Sequence, residues 1–135
     1  MKYAIWQNLL SDQQVDQVNA GISVAAFENK RSMMWDFKDH KIGGNAHDGV
    51  MNGFYEHVAD IEATSPEHVF HIGNIGPENA ITRFSRMSSL SVGDVIVDED
   101  GQCMVVANKG FVAFWHDPKM TAANRSHSSF LEMEV

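Results

Sequence analysis

Seven histidines, a cluster of serines and one cysteine are the side chains with which this chain could do chemistry. Glu67, His68 and His71 stand closest together, and histidines three apart on a helix can share a metal ion, with His57 or His116 completing the set. The His-Glu-x-x-His spacing of a zinc hydrolase is missing. On a helical wheel the group falls opposite Val69 and Phe70, so a solvated helix face accounts for it. A Ser-His-Asp set could begin at Ser85, Ser88, Ser89 or Ser91, yet no Gly-x-Ser-x-Gly turn presents any of them. Serines just before a strand more commonly make turn hydrogen bonds. Cys103 lies between apolar neighbours with nothing nearby to stabilise a thiolate, which reads as a buried structural thiol. Residues 73–76 follow a helix instead of leading into one and have no adjacent lysine, unlike a phosphate-binding loop. Catalytic, cofactor and metal positions are therefore left unassigned. The expectation is a non-enzymatic protein, with a small His-dependent hydrolase or metal-binding enzyme as the alternative.

Charge narrows the partners. Ten Lys and Arg against 18 Asp and Glu give a formal charge of -8. Nonspecific nucleic-acid binding needs a basic face, so a nucleic-acid module around Arg83, Arg86 and Lys109 ranks third. No Lys or Arg falls between Lys41 and Arg83, whereas six acids do: Asp48, Glu56, Asp60, Glu62, Glu67 and Glu78. Asp94, Asp98, Glu99 and Asp100 form a second group. Such a surface can imitate nucleic-acid phosphates or meet a basic partner. The partner-binding candidates are Glu56, Asp60 and Glu62, together with an aromatic end at Phe114 and Trp115 suited to a binding hot spot. Met33, Met34, Trp35 and Phe37 form a further apolar cluster, read as core before adaptable surface.

These residues need elements to hold them. Alternation predicts a strand at residues 2–6. Ser11 followed by Gln14 makes a capping box for a helix over residues 12–20, with Val15, Val18 and Ile22 as a narrow apolar stripe and Gly21 as its stop. Residues 22–54 are the least legible: a short helix around Met33, a loop at residues 41–45, and a short helix over 48–54 weakened by glycine. A strand at residues 55–63 should set Tyr55, His57, Ala59 and Ile61 on one face and Glu56, Val58, Asp60 and Glu62 on the other. Thr64-Ser65-Pro66 starts a helix reaching about residue 74. Residues 90–115 read as a three-stranded meander turning at Asp100-Gly101 and Lys109-Gly110. A last edge strand is expected at residues 130–135. The fold expected is α+β: an antiparallel sheet with a C-terminal three-stranded meander and short helices packed on one side.

The length of 135 residues suits one domain. Its expected parts are a helical segment 1–54, a core 55–115 and an extension 116–135. The single cysteine excludes an intrachain disulfide, no run is apolar enough to span a membrane, and residues 1–11 lack the sustained apolar segment of a signal peptide. A cytoplasmic setting follows as the expectation.

Within residues 55–111, His57-Val58-Ala59-Asp60-Ile61-Glu62-Ala63, residues 67–78, and Ser89-Leu90-Ser91-Val92-Gly93-Asp94-Val95-Ile96-Val97 followed by Gly110-Phe111 resemble small bacteriophage and prophage proteins. The Ser-Leu-Ser-Val, Asp-Val and Gly-Phe elements are similar to the YodL-like domain. The resemblance covers about half the chain. It departs at Cys103 and Met104, where the family places aromatics, and in the residues added after Trp115. It implies a phage accessory protein that binds a host or phage protein in the host cytoplasm, an inhibitor of a host system being one such role. It implies no catalytic residue.

The capping box generates a stability test. Ser11→Ala should cost about 0.5–2 kcal/mol, as lost N-caps do, and an unchanged thermal melt would reject the cap.

Overall fold

The computed structural model describes residues 1–34 and 41–114. The chain forms β1 (Lys2–Gln7), α1 (Asp12–Asn19), α2 (Ala25–Met34), α3 (Ile42–Met51), β2 (Glu56–Glu62), α4 (Pro66–Ile75), β3 (Ile81–Arg83), β4 (Val95–Val97), β5 (Cys103–Val106) and β6 (Phe111–Ala113). All strands join one antiparallel sheet in the order β3-β2-β1-β4-β5-β6. This is the expected α+β fold, and β4, β5 and β6 are the expected meander. The expected edge strand at residues 130–135 lies outside the described residues.

β1 sits at the centre, and five of its six residues are buried. Side chains alternate across a strand, so both sheet faces carry apolar surface. Ala4 and Trp6 share a core with Val95, Val97, Cys103 and Val105, covered by Met33 of α2 and by Ile42, Ala46 and Val50 of α3. Tyr3 and Ile5 share a second core with Ile61, Ile96 and Val106, covered by Val69 and Ile72 of α4. Helices therefore lie on both faces, where packing on one side was expected. The unbroken apolar run Tyr3-Ala4-Ile5-Trp6 is what demands it, since a strand apolar on both sides needs two covers.

α1 carries the predicted capping box: the Gln14 N–H donates to Ser11 Oγ at 3.1 Å and the Ser11 N–H to Gln14 Oε1 at 2.9 Å. It buries no residue, and Val15 and Ile22 of its expected apolar stripe are exposed. α4 is capped by Ser65, whose Oγ accepts from the His68 N–H at 3.1 Å, and Pro66 opens it where its missing N–H costs nothing. The loop expected at residues 41–45 is instead the start of α3. Its glycines lower helix propensity but one of them permits close packing. A Cβ on Gly49 would lie 2.5 Å from Asn29 Oδ1 and 2.7 Å from Tyr55 Cε1. Tyr55 cannot easily yield, because its buried hydroxyl donates to the Gly93 carbonyl.

Two glycines of one helix should therefore respond oppositely. Gly49→Ala should destabilise by about 1–2 kcal/mol, overpacking exceeding the helix-propensity gain. Gly44→Ala meets nothing within 4 Å and should stabilise by up to about 1 kcal/mol. Urea titrations showing the same sign for both would reject the packing.

Candidate functional site

The interior polar groups concentrate where β1, β2 and β4 meet. Along the β1–β2 ladder Ile5 faces Ala59 but Trp6 faces His57, which leaves Val58 as an extra residue on β2. Such a bulge resets the alternation. In an unbroken strand His57 and Asp60, three apart, would point to opposite faces. Here His57 Nε2 and Asp60 Oδ1 meet at 2.7 Å. The Val58 carbonyl accepts from the N–H of Phe84 at 2.8 Å and of Ser85 at 3.3 Å. The His57 ring stacks on Trp6 at 4.8 Å between centroids and meets the Phe84 ring edge-on at 5.1 Å. The side chains of His57 and Asp60 are 1% and 6% exposed. His57 Nδ1 and Ser85 Oγ are buried without a hydrogen-bond partner. A histidine held by a carboxylate is the core of a general-base unit, but this one is buried, with its ring against Trp6 and Phe84. It orders the bulge.

Gln7, fully buried, forms the second polar group. Its Nε2 donates to the Ser88 carbonyl at 3.0 Å and to Asp94 Oδ2 at 3.1 Å, while its Oε1 accepts from the Ser88 N–H at 3.0 Å. Asp94 Oδ2 also accepts from the Ser91 N–H at 2.9 Å. The serines before β4 thus serve as turn residues through their backbone. Burial drives the Asp94 carboxyl up to about 6, against the lowering effect of Ser91, Gln7 and Lys30. Burial, with Asp94 adding to it, also pushes the Tyr55 phenol well above its ordinary range.

Other expected site residues fall apart in space. Asp60 presents no charge to a partner, because the bulge turns it into the interior against His57. Asp94 likewise leaves the surface acids. Glu56 and Glu62 are exposed at the two ends of β2, and Glu62 lies 3.0 Å from the terminal amine of Met1. Phe114 is half-buried against the α3-side core, with its N–H donating to the Cys103 carbonyl at 3.1 Å. Trp115 lies outside the described residues, as do Trp35, Phe37 and His116. Met33 is buried as expected, whereas Met34 is 50% exposed. Cys103 is buried. His68 is tied to its helix cap, Nδ1 accepting from the Thr64 N–H at 3.1 Å. Arg83 pairs with Glu78, which satisfies the cation proposed for nucleic acid. Among the described residues no three His, Cys, Asp or Glu side chains converge as a metal site would require. Nor is any described helix long and apolar enough to cross a membrane.

Sequence reasoning missed an open groove on the α4 side. Six strands span about 24 Å across the sheet, and one helix covers a width of about 10–12 Å. α4 lies over Ile61 and Leu90, with Gly73 giving the close approach. Beyond it, toward β5 and β6, a groove of about 530 Å³ is walled by Phe70, Leu90, Val92, Val106 and Phe111. Glu67, Ser91 and Asn108 supply polar edges. The helical wheel reading sets Phe70 with Val69 and opposite Glu67, but Phe70 is 37% exposed and lines the groove together with Glu67, three residues before it on the helix. The available signal was a helix with one more large apolar residue than its buried side could accommodate.

No family model, curated protein or solved structure matches this chain.

Asp94 generates a pH test. Its folded-state pKa exceeds its unfolded value, so its favourable contribution is full below about pH 4 and is lost as pH rises to about 6. Asn can keep an acceptor oxygen toward Gln7 and Ser91 without the charge. The stability of the native protein relative to Asp94→Asn should fall by roughly 2 kcal/mol between pH 4 and pH 7. Urea unfolding curves that keep a constant separation over that range would refute the assignment.

Proposed function

We propose that this chain is a non-enzymatic accessory protein of a bacteriophage that acts in the host cytoplasm by binding a host or phage protein. The apolar groove beside α4 carries the reading. Its walls are apolar, Phe70 and Phe111 are only partly covered, and it is large enough to seat a bulky side chain of another protein. Buried aromatic anchors in desolvated pockets dominate protein–protein affinity. The phage setting rests on the resemblance within residues 55–111, a stretch that supplies nearly all of the groove's wall. Inhibition of a host system is the role that such binding would serve.

The hydrolase alternative has less to draw on. His57 has a carboxylate partner, but it is buried with its Nε2 committed to Asp60. The groove brings Glu67 and Ser91 to its rim, and no histidine is among its described lining residues. The acids named for partner binding divide accordingly: Glu56 and Glu62 can act as rim charges, and Asp60 cannot.

The test is capture from a bacterial host lysate. Phe70→Asp should weaken retention of a saturable protein partner about tenfold or more, as loss of a central anchor does, while its far-ultraviolet circular dichroism stays that of the native protein. Equal retention by both proteins would remove the groove from the reading.

A further inference from the structure

We propose that Asp94 is a proton-operated clasp on the loop that walls the groove: its protonated carboxyl keeps residues 88–94 closed against the sheet, and its carboxylate lets the stretch around Ser91 open far more often. The device is independent of what the groove binds. At one end of the loop, Gln7 of β1 holds both backbone groups of Ser88. At the other end the Gly93 N–H donates to the Val106 carbonyl at 2.9 Å, and the Gly93 carbonyl accepts from the Tyr55 hydroxyl. Between these ends both backbone groups of Ser91 are tied to Asp94. The Ser91 N–H donates to Asp94 Oδ2 at 2.9 Å, and the Asp94 N–H donates to the Ser91 carbonyl at 3.1 Å. Leu90 and Val92, on either side of Ser91, belong to the groove wall. Leu90 also packs on Gly73 of α4, so movement at Ser91 reaches the contact between this loop and the helix.

The surroundings of the carboxyl make this hold depend on pH. Asp94 is 4% exposed, and the donors on its Oδ2, Gln7 Nε2 and the Ser91 N–H, are neutral. Two titratable groups act with it from neighbouring elements. Lys30 of α2 favours the carboxylate, but its Nζ donates to the Asn8 carbonyl at 3.0 Å. Tyr55, before β2, keeps its proton, because burial and Asp94 push its phenol up. A buried carboxyl with neutral partners resists ionisation, and here burial drives it up to about 6. Lifting Ser91 off Oδ2 admits water and restores an ordinary carboxyl, so the open form binds its proton less tightly than the closed one. Closure is therefore favoured fully below about pH 4, and that preference is lost as pH rises to about 6. Gln7 and Tyr55 are uncharged over this range, so the ends of the loop hold while its middle loosens.

The measurement is amide hydrogen exchange with a carbon-13 carboxyl titration, both by nuclear magnetic resonance on the full native chain. After correction for the intrinsic effect of pH on exchange, the Ser91 amide should open about tenfold more often at pH 7 than at pH 5. A carboxyl titrating near 6 when closed and at its ordinary value when open requires that factor. At both pH values Ser91 should open about tenfold or more above Ile5 of the central strand, whose exchange reports the most stable part of the sheet. The methyl resonances of Leu90 and Val92 should shift with the same midpoint as the Asp94 carboxyl. Ser91 exchange no faster than that of Ile5 would make its opening global unfolding and overturn the clasp. An Asp94 carboxyl that titrates below about pH 5, or Ser91 opening that is constant between pH 5 and pH 7, overturns it as well. All three readings come from the native protein and decide the matter even where a variant fails to fold. In folded Asp94→Asn the tenfold difference should vanish, and its persistence would assign the pH dependence to another group and overturn the proposal.

Discussion

The central position of β1 is the constraint on which the rest of the structure depends. Tyr3, Ala4, Ile5 and Trp6 are buried in succession, which a strand achieves only between two covering layers. α2 and α3 supply one layer through Met33, Ile42, Ala46 and Val50. α4 supplies the other through Val69 and Ile72. α1, between β1 and α2 in the chain, adds nothing buried to either. The imbalance has a geometric result. The side with two helices is closed over β1, β4 and β5, whereas the side with one is closed near β2 and β1 and stays open toward β6. Among the described residues, the groove is thus a direct outcome of how many helices lie over each face.

The polar interior supports the same strand. Gln7 ends β1, and its amide uses both its donor and its acceptor functions on the segment that leads into β4. Asp94 then holds the Ser91 N–H, and the next element of the network, the Gly93 carbonyl, accepts from Tyr55. Tyr55 in turn lies against Gly49 of α3. A chain of contacts therefore runs from the end of β1, through the loop before β4, to the helix over the opposite sheet face. Buried polar groups cost stability when unpaired, so this arrangement penalises any shift in the β1–β4 register. The His57–Asp60 pair does comparable work on the β2 side, since only the bulged register brings the two side chains to one face.

Much of this was legible in the residues, and the misses have identifiable physical causes. Local chemistry predicted the Ser11 capping box, the Ser65-Pro66 helix start and the glycine turns of the meander, because each depends on a few adjacent residues. The bulge was invisible: Val58 suits either face of a strand, so the alternation of residues 55–63 looked unbroken, and Asp60 was assigned to the surface as a result. α3 was obscured because Gly43, Gly44 and Gly49 lower helix propensity, while the reason for Gly49 lies in Asn29 and Tyr55, distant in sequence or beyond the helix. The covering of both sheet faces could have been read from Tyr3-Ala4-Ile5-Trp6, whose lack of polar alternation is the mark of a central strand. Phe70 was misplaced because residues three apart share a helix face, which sets Phe70 beside Glu67 at the groove and away from the buried Val69 and Ile72.

An open apolar groove would ordinarily be a liability, since exposed apolar surface promotes association between copies. Two features of this chain oppose that. The groove is recessed between α4 and the β5–β6 turn, so a flat surface cannot reach Leu90 or Val106, both only 4% exposed. The chain as a whole is also strongly acidic, with a formal charge of -8. Like charge raises the cost of a collision between two copies over distances of about the Debye length, roughly 10 Å in 0.1 M salt. Recess and charge therefore act together: the first keeps broad surfaces from Leu90 and Val106, and the second opposes contact between two copies of the chain.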